Sequence, residues 1–366
     1  MREPARLLKR QSAPRMTELL SIARQFAGSS AAVLPLGNGL INETYQVLTA
    51  AEPFVLQRIN AHVFPEPEAV LANLAEIARH LDRKAPEDVE LKIPRPLESE
   101  AGLFHVRDGR DRLWRALDYI PDTVSLESVG DPGEAREAGF ALGHFHRLLG
   151  DLDPARLKDT LPGFHIAPAY LARYREVLAN ADSRLIDADC AAFIDRHQAI
   201  ADNLESAKRQ GLLPLRIIHG DPKLNNFLFG KGRQKVVGVV DLDTVKPGLL
   251  HYDIGDCLRS CCHRPENDAF DLGIGEAILG SYLGEAGRFF TGPDYDYLFP
   301  AIRLIPFELG IRFYTDHLEG NRYFKVEDPG QNLHRALGQF RLCASVIDQE
   351  RAIRALIASL RGKTAE

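Results

Sequence analysis

The chain is predicted to be α+β and two-lobed, with a small N-terminal lobe on an antiparallel sheet and a mainly helical C-terminal lobe. Three observations carry this prediction. Apolar and β-branched runs punctuated by glycine crowd the chain before Ile59, apolar residues at helical spacing dominate beyond Pro121, and 366 residues exceed one typical domain.

In order, a first helix follows Met16, with Leu19, Leu20, Ile22, Ala23 and Phe26 on one face. Ala32–Pro35, a Gly37-Asn38-Gly39 turn, residues 45–48 and Phe54-Val55-Leu56 read as an antiparallel meander. Residues 65–81 form a helix, with prolines at its start and Val70, Leu71, Leu74, Ile77, Ala78 and Leu81 recurring along one side. Strand-like runs around Phe104-His105-Val106 and over 113–120 complete the lobe, which ends in a short hinge over 116–121. Beyond the hinge, 134–149, 170–178, 190–207, 270–283, 297–318 and 333–360 read as helices. Two strands interrupt them, 215–218 and 236–240, each running into an aspartate-bearing motif.

A formal charge of −6 leaves no basic excess for a nucleic-acid backbone or an acidic membrane. The five cysteines are odd in number and lack CxxC spacing, which fits a reducing compartment. Cys257, Cys261 and His263 could be imagined as metal ligands, but Cys257 and Cys261 also have the spacing of a buried helical stripe. No run approaches the ~18 apolar residues of a membrane span, and the basic start (Arg2, Arg6, Lys9, Arg10, Arg15) lacks the apolar stretch of a secretory signal. A cytoplasmic protein is expected, with no nucleic-acid or membrane partner; nothing in the sequence reads on oligomeric state.

The chemistry concentrates in two segments. Ile217-Ile218-His219-Gly220-Asp221-Pro222-Lys223-Leu224-Asn225-Asn226 sets an aspartate after an apolar strand and an asparagine five positions on, and Val239-Val240-Asp241-Leu242-Asp243-Thr244 ends a second apolar run in acid. Phosphoryl transfer from ATP requires such a set, because it is mostly positioning and charge neutralisation. One carboxylate orients the attacking hydroxyl, and a carboxylate with an amide oxygen holds Mg²⁺ against the phosphates. Asp221 is the expected base, Asn226 and Asp241 the metal ligands, and Lys223 a cation for the transferring phosphoryl group. Asp243 is either a second metal contact or a local cap. Singly, each of these residues is a common turn former; the combined spacing is what points to function.

These motifs resemble the aminoglycoside phosphotransferase family, whose protein-kinase-like bilobal fold carries a His-Gly-Asp, then Asn, then hydrophobic-Asp arrangement. The resemblance implies that Asp253, in His251-Tyr252-Asp253-Ile254, braces the catalytic loop. Segments 36–45, 55–60, 161–165, 240–244, 309–316 and 332–335 are similar to the N-acetylhexosamine 1-kinase branch, so the implied acceptor is the anomeric hydroxyl of GlcNAc or GalNAc. The resemblance implies the following plan: residues 1–16 a basic tail expected to be disordered, 17–120 a nucleotide-binding lobe, and 121–366 a helical lobe with the catalytic loop and acceptor site.

Two departures stand out. Where kinase-like folds place a phosphate-binding lysine on the third strand, this chain has Gln57 and Arg58, which must face opposite ways; register favours Arg58, and a shift of one favours Gln57. Its partner glutamate is Glu68 or Glu76. The Gly37 and Gly39 loop lacks a third glycine, so a plain hairpin turn explains it almost as well as a phosphate lid. For the acceptor, Glu308, Arg312 and Asp316 recur every fourth position, either as a solvated ladder of ion pairs or with Arg312 and Asp316 on sugar hydroxyls. His165 is a further acceptor contact or a structural histidine. The alternatives to an amino-sugar acceptor are another sugar, choline, homoserine or an aminoglycoside, or a nucleotide-binding module without catalysis.

Overall fold

A computed structural model describes residues 16–28, 32–37, 41–85 and 91–364. The chain forms two compact units, one of residues 1–67 and 94–119 and one of 68–93 and 120–366. The basic segment expected as a tail lies outside the described residues up to Met16, with which the first helix begins.

In the smaller unit, helix α1 (Met16–Ala27) precedes strands β1 (Ala32–Pro35), β2 (Glu43–Leu48), β3 (Phe54–Arg58), β4 (Val106–Arg107) and β5 (Leu113–Asp118). They pair in the order β1-β2-β3-β5-β4, every pairing antiparallel. Alternation along each strand sends Val33, Val47, Phe54, Leu56, Trp114 and Ala116 to one face, where they bury Leu19, Ile22 and Ala23 of α1. The meander is therefore as expected. Gly37 adopts φ +66 in the turn after β1, whereas Asn38 and Gly39 lie outside the described residues.

The larger unit contains α2 (Pro67–Leu81) apart from its first residue. This helix was grouped by sequence with the small lobe, but its polar residues bind the larger unit. Asn73 donates to the carbonyls of Lys158 and Val245, Glu76 pairs with Arg156, and His80 contacts the Leu148 carbonyl and Asp151. Glu76 also meets Arg79, so two arginines occupy it.

Then follow β6 (Thr123–Ser125), α3 (Pro132–Leu149), α4 (Ala167–Leu178), α5 (Ala188–His197) and α6 (Asn203–Arg209). Strands β7 (Arg216–Ile218), β8 (Phe227–Gly230), β9 (Val236–Val239) and β10 (Lys246–Gly248) come next, before α7 (Leu250–Cys262), β11 (His263–Arg264) and β12 (Ala269–Phe270). Helices α8 (Leu272–Ala286), α9 (Gly292–Asp296), α10 (Leu298–Leu318), α11 (Gln331–Asp348) and α12 (Glu350–Thr364) finish the chain. Two expected helices are each divided. A 3₁₀ turn over Gln198–Asp202 separates α5 from α6, and Gln349 separates α11 from α12.

One apolar core spans the helices, with Leu142, Phe145, Leu258, Leu279, Phe299 and Phe307 among its members. The small sheets stand at its edge. Strands β6-β8-β9 form one sheet, and β7 pairs antiparallel with β10, placing Ile218 opposite Lys246. The ends of β7 and β9 are thus where the two acidic motifs emerge. Among the described residues, no helix is long and apolar enough to cross a membrane.

Candidate active site

The loop after β7 is held by side chains that reach its backbone. Asp253 of α7, fully buried, accepts from the backbone N–H of His219 at 2.6 Å and of Gly220 at 2.8 Å, and contacts His146 at 2.9 Å. Thr244 donates its hydroxyl to the His219 carbonyl at 2.8 Å, and the His219 ring lies 3.0 Å from the Val240 carbonyl. Gly220 has φ +87, and a Cβ there would lie 2.7 Å from the Thr244 carbonyl oxygen, so glycine is required on two counts. The loop cannot rotate without breaking these bonds, and Asp221 leaves it with its side chain 28% exposed.

Lys223 pairs with Asp221 at 2.6 Å. Burial opposes its charge, but the carboxylates of Asp221 and Asp241 hold the ammonium above its ordinary pKa. Asn226 donates through Nδ2 to the Asp221 carbonyl at 2.7 Å, and its own carbonyl accepts from Val240 N–H at 3.0 Å. That last bond brings the second motif beside the first.

Asp241 is left-handed, at φ 65 and ψ 52, a conformation that Asp and Asn tolerate best among residues with a side chain. Loss of hydration, then the charges of Asp243 and Asp221, push its carboxyl up to about 6. A cation would relieve this crowding of carboxylates. Among the described residues, no group of three or more His, Cys, Asp or Glu side chains is disposed to hold a metal. An amide oxygen and a carboxylate, as Asn226 and Asp241 offer, are hard oxygen donors of the kind an ion such as Mg²⁺ takes when it completes its shell with water and phosphate. Asp243 is buried, and its carbonyl accepts from Thr160 at 2.6 Å. His263 and the buried Cys257 and Cys261 make no such centre; His263 bonds Asp268 at 2.8 Å.

Beside Asp221 opens a small cleft of about 70 Å³ lined by Phe164, His165, Asp256, Arg259, Glu308 and Arg312. Arg312 stands over four rings, with its guanidinium carbon 5.1 Å from Phe164, 5.2 Å from Tyr170, 6.0 Å from Tyr323 and 5.6 Å from Phe324. The ladder expected along α10 is not formed, since each member has a different environment. Glu308 meets His165, Arg312 enters the aromatic cage without an ion pair among the described residues, and Asp316 turns away.

Asp316 corrects the sequence expectation. Its carboxylate accepts from the backbone N–H groups of Arg322, Tyr323 and Phe324 at 2.7–2.9 Å and from Asn332 at 2.9 Å, leaving no valence for an acceptor. It builds the turn that presents Tyr323 and Phe324 to Arg312. His165 is likewise fully engaged. At φ +66 and stacked on Tyr252, it lies 3.1 Å from Glu308 Oε1 through Nδ1 and 2.8 Å from the Gly220 carbonyl through Nε2. A carbonyl only accepts and an ionised Glu308 does too, an arrangement that favours a proton on each ring nitrogen. Burial disfavours that charge, but Glu308 outweighs it and raises the histidine pKa.

Sequence reasoning passed over Asp256 and Arg259, which pair at 2.7 Å, and treated Glu308 only as a rung. The available signal was charge set inside the buried apolar run of α7, beside Ile254, Cys257, Leu258 and Cys261. It also passed over Arg115. On β3, Arg58 pairs with Glu43 across the sheet. Gln57, facing the other way, donates to Thr44 at 3.0 Å and accepts from Arg115 at 2.7 and 3.0 Å. The cation on the Gln57 face thus comes from β5.

Residues 32–290, more than half of the chain, match the model of the phosphotransferase enzyme family. A homoserine kinase of Xanthobacter autotrophicus is 22% identical over 259 residues, 71% of this chain and 72% of that protein. Among solved structures, an aminoglycoside phosphotransferase from Alicyclobacillus acidocaldarius superposes with a TM-score of 0.64 at 18% identity, covering 98% of this chain and 99% of that one. Amicoumacin kinase in complex with AMP-PNP and Ca²⁺ gives 0.60 at 14% identity, covering 84% and 87%. At these identities the structural likeness establishes the kinase-like fold; the family match goes further, and the chain belongs to the phosphotransferase enzyme family.

Proposed function

We propose that the chain transfers the γ-phosphoryl group of ATP, with Mg²⁺, to the anomeric C1 hydroxyl of GlcNAc or GalNAc, giving the sugar 1-phosphate. The observation that carries this reading is Arg312, a caged cation without an ion pair among the described residues, lining the same small cleft as Asp221. A guanidinium walled by aromatic rings suits a neutral ring with many oxygens and one apolar face. Its charge repels the ammonium groups of an aminoglycoside.

Asp221 accepts a hydrogen bond from the attacking hydroxyl and takes its proton late. An anomeric hydroxyl is more acidic than an ordinary alcohol, so a carboxylate suffices. Lys223, already beside Asp221, offers its charge to the transferring phosphoryl oxygens. Asn226 and Asp241, with Asp243 as a further candidate, would hold an Mg²⁺ ion, whose charge would neutralise the phosphates. In the small unit, the Gln57 face carries the Arg115 guanidinium whereas Arg58 is paired with Glu43, so the Gln57 face is the nucleotide side, and the turn at Gly37 is the phosphate lid. The amicoumacin kinase complex with AMP-PNP and Ca²⁺ supports the nucleotide and the divalent ion.

Homoserine is the second reading. The same Arg312 suits a carboxylate, and a homoserine kinase is among the relatives. ADP release measured over GlcNAc, GalNAc, glucose, homoserine, choline and kanamycin separates them. Turnover of GlcNAc or GalNAc at least about tenfold above the others in kcat/KM is expected, and activity confined to homoserine or a cationic alcohol sinks the amino-sugar reading.

A further inference from the structure

Glu308 is 2% exposed, and only one of its oxygens is engaged. Oε1 holds His165, whereas Oε2 is buried at the cleft wall with no hydrogen-bond partner among the described residues. Leaving a buried carboxylate oxygen unpaired costs on the order of 1–3 kcal/mol, so such an atom in a binding cleft is a vacancy for a donor. The two cations of the cleft are engaged elsewhere, Arg312 in the aromatic cage and Arg259 with Asp256, so a donor brought by the acceptor fits this oxygen.

We infer that Glu308 selects the acceptor by taking a hydrogen bond from a ring hydroxyl on Oε2, and that His165 couples this readout to the catalytic loop. The coupling runs through two bonds. His165 joins Glu308 Oε1 to the carbonyl of Gly220, the residue immediately before Asp221. An acceptor that satisfies Oε2 also fixes the carboxylate against which His165 holds the loop. Glu308 is thus a specificity residue and His165 a positioning residue. The inference rests on the amino-sugar reading above, because the donor it requires is a sugar hydroxyl.

The test compares GlcNAc with its 3-deoxy, 4-deoxy and 6-deoxy analogues on wild type, Glu308→Gln and Glu308→Asp. Gln keeps the acceptor for His165 but offers an NH₂ to the cleft; Asp keeps the charge but withdraws it. For wild type, one deoxy analogue should lose at least about 30-fold in kcat/KM, as expected where a site is built to bond that hydroxyl. In both variants that loss should shrink to about threefold or less, with the KM for ATP unchanged. His165→Asn, which tolerates the left-handed backbone, should lower kcat about tenfold while keeping the discrimination among analogues. If Glu308→Gln and Glu308→Asp, folded by their unfolding midpoints, lose activity equally on every analogue, Glu308 does not read a hydroxyl and the inference fails while the amino-sugar reading stands. If wild type turns over neither GlcNAc nor GalNAc, that reading fails and the inference falls with it.

Discussion

The loop that carries Asp221 and the cleft wall on α10 are both rich in buried polar groups, yet they are satisfied in opposite ways. Around the loop every buried polar group serves another part of the chain. Asp253 accepts from two backbone N–H groups and His146, and Thr244 ties down the His219 carbonyl. On the wall, among the described residues, Glu308 Oε2 and Asp256 Oδ2 have no hydrogen-bond partner and Arg312 meets ring faces without an ion pair. The first set holds the loop in place, and the second lines the cleft beside Asp221. Asp316 shows how sharp the division is, since it sits one turn from Arg312 and belongs wholly to the first kind.

The largest expected effects lie in the saturated region. Asp253→Ala strands two backbone donors and His146, and should destabilise the protein by about 3–5 kcal/mol, read as a lowered denaturant midpoint together with loss of activity. A midpoint near wild type would mean that the loop holds itself. Asp221→Asn should leave that midpoint nearly unchanged while lowering kcat by about 10³-fold in an ADP-release assay. Persistent turnover would remove Asp221 from the chemistry.

On the wall the signature should be kinetic. Arg312→Lys keeps the charge but not the planar group that stacks on four rings, and should reduce kcat/KM for the acceptor by about 10- to 100-fold with ATP binding preserved. An equal loss in ATP affinity would blur the distinction between the regions. Asp241→Asn sharpens it from the other side. The substitution relieves carboxylate crowding at a left-handed position, so activity should vanish while the unfolding midpoint in metal-free buffer rises by a degree or two. A fall in that midpoint would show that the carboxylate is structural.

The smallest expected effect is one of pH. Glu308 raises the pKa of His165 in the folded state, so their ion pair stabilises fully below the unfolded histidine value of about 6.5 and is lost as pH rises through the raised value. Unfolding midpoints should therefore fall faster with pH above neutrality in wild type than in Glu308→Gln. Parallel profiles would contradict a charged His165.

Legibility in the sequence followed the same division. The His219–Asn226 and Val239–Thr244 segments could be read because their residues are close in sequence and each follows an apolar strand; even the bracing role of Asp253 was implied. The small sheet was legible from apolar and β-branched runs punctuated by glycine, over 45–48, 54–56 and 113–120. The wall was legible only in Arg312 and His165, because His165, Asp256, Glu308 and Arg312 come from two helices and a turn, and only folding decides which way each points. Periodicity on α10 even misled, since a four-residue spacing suggests mutual ion pairs while Glu308 and Asp316 each found a partner elsewhere. Short strands such as β6 and β10 went unread for a related reason. Each is three residues long, and β6 pairs with β8 about a hundred residues away, as Val124 with Phe229.

The central claim is tested most directly by phosphorus NMR of the product formed from ATP and GlcNAc. The account predicts one sugar phosphate resonance coupled to the anomeric proton, placing the ester on C1, and its disappearance in Asp221→Asn. A resonance coupled to the C6 protons, or no sugar phosphate at all, would contradict it.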